Sequence, residues 1–141
     1  MILYCNFEEL RALAAGAELL AGGVCAAPSA SVVAPCEATE LIESLLPRLT
    51  GDLSLATLAE QRRVREAVAA ICEGLHGRLD NTVLAYSPAH EEAVNLYFDY
   101  AHARTVLDRV DRIGVEMGAM IELITGRPVT AESAETVTFP D

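Results

Sequence analysis

The last third of the chain carries helical periodicity, with no proline between Pro88 and Gly126. Ser87 is a suitable N-cap, Pro88 fits the first helical position, and Gly126 followed by Pro128 is a typical helix stop. About 38 residues at a rise of 1.5 Å per residue make a helix of about 57 Å. A globule of 141 residues has a diameter of about 40 Å. We therefore expect this helix to extend beyond the rest of its own monomer.

One face of this helix is apolar at alternating spacings of three and four residues, which is typical of helices that pack lengthwise against one another. The opposite face carries Arg104, Asp108 and Arg112 four residues apart, and this ladder of charges predicts a solvent-exposed surface. Gly114 and Gly118 have the spacing that lets two helix backbones approach closely. We predict an interface between copies of the chain formed by Val106, Val110, Ile113, Gly114, Met117, Gly118 and Ile121.

A second long helical pattern begins at Leu55 and fades between residues 80 and 86, where either a frayed helix end or a short extended stretch fits the sequence. Two long helices joined by a short loop predict an antiparallel hairpin. A hairpin buries only part of each apolar stripe, so we expect a second copy to complete a four-helix bundle about a two-fold axis. The competing interpretation is a break at Gly114 that folds the helix back into the monomer.

Two shorter helices precede the hairpin. Asn6 and Glu9 match a capping box at the start of the first, which is predicted to stop at two consecutive glycines, 22 and 23. The second covers residues 37–46 and ends near Pro47.

Short strands are predicted near residues 1–5, 30–35 and 136–139. We expect a single domain, 1–141, that is mainly α (α+β): a long antiparallel helical hairpin, two shorter helices and a small sheet formed by these strands.

The composition excludes several classes of function. The chain has 10 Lys+Arg, all of them arginine, against 21 Asp+Glu, and a net charge of −11. Such a charge repels phosphate backbones and anionic lipid headgroups, so we expect binding neither to nucleic acid nor to membranes. The uncharged stretch 19–36 has acidic residues before it and contains glycines and prolines, which is unlike a signal segment. We expect a cytoplasmic protein.

The four cysteines stand at wide spacings that match no zinc motif. We expect free thiols, with one disulfide pair as the alternative.

One group of polar residues in the long helix is a candidate ligand site. Glu92, Asn95, Asp99 and His102 follow one another at spacings of three and four residues, which places them on one face. A half-buried aspartate beside a histidine orients the imidazole as a general base or holds a metal together with outside ligands. The competing interpretation is a hydrogen-bonded polar layer that fixes the register of a bundle. The candidate ligand-binding residues are Glu92, Asn95, Tyr97, Asp99, Tyr100 and His102.

Two carboxylate–histidine pairs are spaced as in di-iron helical bundles. They are Glu73 with His76 and Asp99 with His102. In a hairpin that turns near residues 81–87, the two histidines differ in height by about 15 Å, so one bimetal site cannot use both pairs. His90 lies near His76 in height. The candidate metal ligands are therefore Glu73, His76 and His90, and the sequence requires no cofactor.

The sequence contains no nucleophile elbow, Gly-rich phosphate loop or zinc-protease motif. The function we expect is non-enzymatic: a homo-oligomeric helical assembly or interaction protein that dimerises through the C-terminal helical hairpin, with a further protein partner as an option. The alternative is a small-ligand- or metal-binding protein, which includes an enzyme, with its site around Asp99 and His102.

Overall fold

The computed structural model describes residues 1–21 and 35–141. It confirms a mainly α fold with a small two-stranded antiparallel sheet. The described elements are, in chain order, β1 (Ile2–Leu3), α1 (Phe7–Ala21), α2 (Pro35–Leu45), a 3-10 turn (Leu46–Arg48), β2 (Leu53–Ser54), α3 (Leu58–Ala85), α4 (Glu91–Thr125) and α5 (Ala131–Thr136).

The helices α3 and α4 form the predicted antiparallel hairpin. Near the start of α3, Gln61 Nε2 donates to the Val110 carbonyl at 2.8 Å. Towards the end of α3, Arg78 donates to Glu92 at 3.2 Å. The 28 residues of α3 span about 42 Å and the 35 residues of α4 span about 52 Å. The C-terminal end of α4 therefore extends past the start of α3.

The last long helix is continuous through Gly114, as predicted. It ends at Gly126, whose φ of 67° is left-handed and free of strain for glycine. Its start lies three residues later than predicted, because His90 Nδ1 accepts the N–H of Glu92 at 3.2 Å and acts as the N-cap. Ser87 and Pro88 belong to the preceding turn.

The helix α1 is fastened to both helices of the hairpin. The predicted capping box is confirmed: Asn6 Oδ1 accepts from Glu9 N at 2.8 Å, and Glu9 Oε1 accepts from Asn6 N at 2.9 Å. The other carboxylate oxygen of Glu9 pairs with Arg109 of α4. On the α3 side, a Cβ at Gly16 would lie 2.5 Å from Ile71 Cγ2, so only glycine permits this approach.

The start of α3 is fixed by a signal that the sequence interpretation overlooked. Thr57 Oγ1 accepts from Glu60 N at 3.1 Å, and Glu60 Oε2 accepts from Ala56 N at 3.0 Å. The helix begins after Thr57 rather than at Leu55, and it remains helical to Ala85. None of the helices in the described part of the chain is both long and apolar enough to cross a membrane.

The small sheet is built differently from the prediction. Ile2 pairs with Ser54 and Leu3 with Leu53, so the partner of the first strand is β2, where the sequence analysis predicted no strand. The strand predicted at 136–139 is wrong, because α5 includes its first residue. Phe139 N–H donates to the Ala56 carbonyl at 2.7 Å, and Ala56 lies after the end of β2. The strand predicted at 30–35 lies outside the described residues except for its last position, which begins α2.

The end of α4 that extends past α3 is covered on its inner side by the C-terminal segment. Thr130 and Ser133 cap α5 reciprocally. Ala134 and Phe139 are buried in the same core as Met117. The inner side of the overhang is therefore closed by the chain itself rather than left for another molecule.

Candidate functional site

The residues predicted as a dimer interface lie in the core of one chain. Val106, Val110, Met117 and Ile121 are all 0% exposed, and Ile113 packs half-buried against the same core. A second copy cannot reach these side chains unless the hairpin opens. These buried residues therefore leave only other positions of α4 open to contact from outside the chain.

The two predicted contact glycines have different surroundings. A Cβ at Gly114 would lie 2.5 Å from Gln61 Nε2. Gln61 is itself buried and bonded to the Val110 carbonyl, so Gly114 serves the packing of α4 on α3. A Cβ at Gly118 would meet no heavy atom of the described residues within 4 Å.

The side of α4 that points away from the core is exposed towards both ends of the helix and at the charge ladder, whereas none of residues 99–103 is exposed. We call it the outer face. Its middle carries the charge ladder, whose predicted exposure is confirmed. Apolar side chains lie on both sides of that ladder. The outer face comprises Val94, Tyr97, Phe98, Arg104, Asp108, Arg112, Val115, Ala119 and Leu123.

The N-terminal end of the outer face is aromatic. Tyr97 and Phe98 are 58% and 56% exposed, and their rings meet edge to face with centroids 6.0 Å apart. Val94 precedes them by three and four residues, which places it on the same side of the helix. Exposed aromatic side chains in a contiguous apolar patch are typical of interaction surfaces.

The C-terminal end of the outer face carries aliphatic side chains together with the exposed carboxylates of Glu116 and Glu122. Val115, Ala119 and Leu123 follow at intervals of four residues, and Val115 and Leu123 are 74% and 85% exposed. Met120 and Ile124 are exposed beside Leu123. No described element covers these two residues, since they lie where α4 has passed the start of α3.

The charged middle of the outer face is only loosely paired within the chain. Arg104 Nε lies 3.9 Å from Asp108 Oδ1, and both side chains are more than half exposed. Such a solvated pair at the limit of contact contributes little to folding. The Asp108 carboxylate is therefore mainly solvated.

Only three of the six predicted ligand-site residues, Glu92, Asn95 and Asp99, line a common depression. Tyr97 points outwards from α4, whereas the ring of Tyr100 lies 5.3 Å from that of His76 on α3. Glu92 bonds across the hairpin to Arg78. Within residues 1–21 and 35–141, no hydrogen bond joins Asp99 to His102.

A shallow depression of about 350 Å³ lies beside the aspartate, lined by His90, Glu91, Glu92, Asn95, Leu96 and Asp99. Burial raises the pKa of the Asp99 carboxyl above its ordinary value of 3.8, while the charges of Arg11 and His102 act in the opposite direction. The carboxylate is thus partly withdrawn from water at the edge of this depression.

Each of the candidate metal ligands has its own separate surroundings. His76 Nδ1 is 3.4 Å from Asp80 Oδ2, and His90 caps α4 with its ring stacked 4.5 Å from that of Tyr86. Glu73 is half-buried, and its Oε2 is shielded from water. In the part of the chain that the structure describes, no three His, Cys, Asp or Glu residues are grouped to hold a metal ion.

The two cysteines whose side chains are described are free thiols. Burial raises the pKa of Cys5 to about 11 and that of Cys72 to about 12. Thiols with such values carry little thiolate at neutral pH and react slowly. Neither is a candidate nucleophile.

The sequence interpretation missed the outer face as a site because the charge ladder was taken to represent the whole exposed side. The signal was present on both sides of the ladder. Val94, Tyr97 and Phe98 have helical spacing, and so do Val115 and Leu123. A long helix has room for two apolar stripes, and only the stripe with the longer continuous pattern was followed.

Comparison of the chain with protein-family models, with curated proteins and with solved structures finds no match. The function is therefore inferred from the geometry of the chain alone.

Proposed function

We propose that the protein is a non-enzymatic assembly module that forms a homo-oligomer, at least a dimer, through its helical hairpin. The contact surface is the outer face of α4. One observation carries the proposal: large apolar side chains are exposed at both ends of a helix whose inner face packs against the rest of the chain.

The energetics favour a contact made by both ends of this face. Burying a valine, leucine or phenylalanine side chain contributes about 1.5–3 kcal/mol relative to leaving it in water. Association costs about 4–15 kcal/mol in lost freedom, and copies with a net charge of −11 repel one another. A single exposed leucine cannot offset these costs. Two copies that each bury the aromatic and the aliphatic end can.

A matched pair of leucines tests the proposal. Leu123 on the outer face and Leu84 near the end of α3 are both 85% exposed. Leu123→Asp places a charge in the proposed contact and should raise the dimer dissociation constant at least about 10-fold, whereas Leu84→Asp should change it less than about 3-fold. Sedimentation equilibrium on both variants and the unmodified chain measures these constants.

Equal dissociation constants for the two variants would remove the outer face from the contact. A monomeric unmodified chain would remove the proposal altogether.

A second candidate function is binding of a small ligand or metal beside Asp99, and the depression lined by Glu92, Asn95 and Asp99 favours it. The double variant Asp99→Asn with His102→Ala tests it. If these residues bind metal, calorimetric titration with Zn²⁺ gives a binding signal for the unmodified chain that the variant loses, and the melting temperature of the variant is no lower than that of the unmodified chain. Absence of the signal for the unmodified chain contradicts metal binding here, and a lowered melting temperature with altered oligomer size indicates a structural role.

A further inference from the structure

We draw no further inference here: the strongest candidate, the outer face of α4 with its exposed apolar ends, carries nothing beyond the proposed function, because nothing in the described part of the chain shows what covers it.

Discussion

The inner and outer faces of α4 carry similar kinds of side chain and meet different surroundings. On the inner face, Val106, Val110 and Met117 are wholly buried. On the outer face, Val115 and Leu123 are largely exposed to water. Both sets follow helical spacing, so the difference lies in what stands opposite them. The inner face is covered by other elements of the same chain, and the outer face is not covered by any described element.

Apolar residues at helical spacing can therefore have two different roles, depending on what lies opposite them. An apolar stripe opposed by the same chain stabilises the fold, and one left unopposed drives association. The close contact of Gln61 with Gly114 marks the first kind of surface. We propose that the outer face, in which charges separate two apolar ends, is the second kind of surface.

The largest expected contrast comes from the same substitution on the two faces. Ile121→Asp places a charge where the side chain is 0% exposed and should lower the free energy of unfolding by more than about 4 kcal/mol. Leu123→Asp should change it by less than about 0.5 kcal/mol in the monomer. Urea unfolding, carried out at protein concentrations well below the dimer dissociation constant, measures both changes in the free energy of unfolding. Similar losses would mean that the two faces are not distinct.

The ion pair between α1 and α4 should show the next largest effect. Glu9 is 2% exposed and pairs with Arg109. Arg109→Met leaves that carboxylate buried without its cation and should cost about 3–5 kcal/mol, whereas Met in place of the exposed Arg62 should cost less than about 0.5 kcal/mol. Thermal unfolding of both variants checks this. An Arg109→Met variant as stable as the control would show that α1 is held by apolar contacts alone.

The two glycines of α4 should respond in opposite directions to alanine. Gly114→Ala forces a methyl group against the buried Gln61 amide and should destabilise the fold by about 1–3 kcal/mol. Gly118→Ala meets open space and should stabilise the helix by about 0.5–1 kcal/mol. Melting temperatures of the two variants test the pair. A stabilised Gly114→Ala variant would contradict the close contact between α3 and α4.

The smallest expected effect on stability is that of replacing Asp99, which lies at the border between the inner and outer faces of α4. Its pKa is raised by burial, so the folded state holds the proton more tightly than the unfolded state. The stability gained from the protonated carboxyl is present at pH below the pKa of Asp99 in the unfolded chain. It is lost as pH rises through the pKa of Asp99 in the folded chain, so the ionised carboxylate weakens the fold at neutral pH. Asp99→Asn should raise the melting temperature at pH 7 and leave it unchanged near pH 3. A lower melting temperature at pH 7 would indicate that Asp99 is favourably paired.

Local signals in the sequence predicted the helix boundaries best. The Asn6–Glu9 capping box and the stop at Gly126 depend on residues within one turn, and both were found. The start of α3 could have been found in the same way, because Thr57 and Glu60 match the same pattern.

The pairing of the strands and the location of the candidate site could not be predicted from local sequence patterns, because both depend on contacts between distant parts of the chain. The strand Leu53–Ser54 is too short to show alternation, and its partner is the distant strand Ile2–Leu3. The N-cap of the short α5 is Thr130, and the third helical residue of its capping box is Ser133 in place of the usual acidic residue. The interface was assigned to the buried side of α4 because sequence spacing reveals an apolar stripe but not the element that covers it.

The mass of the unmodified 15.1 kDa chain in solution, measured by light scattering over a range of concentrations, tests most directly whether the uncovered side of α4 brings copies together. We predict a mass that rises with concentration to about twice the chain mass or a higher multiple, as expected for mass action. A mass that stays at 15.1 kDa at every concentration would contradict self-assembly through α4.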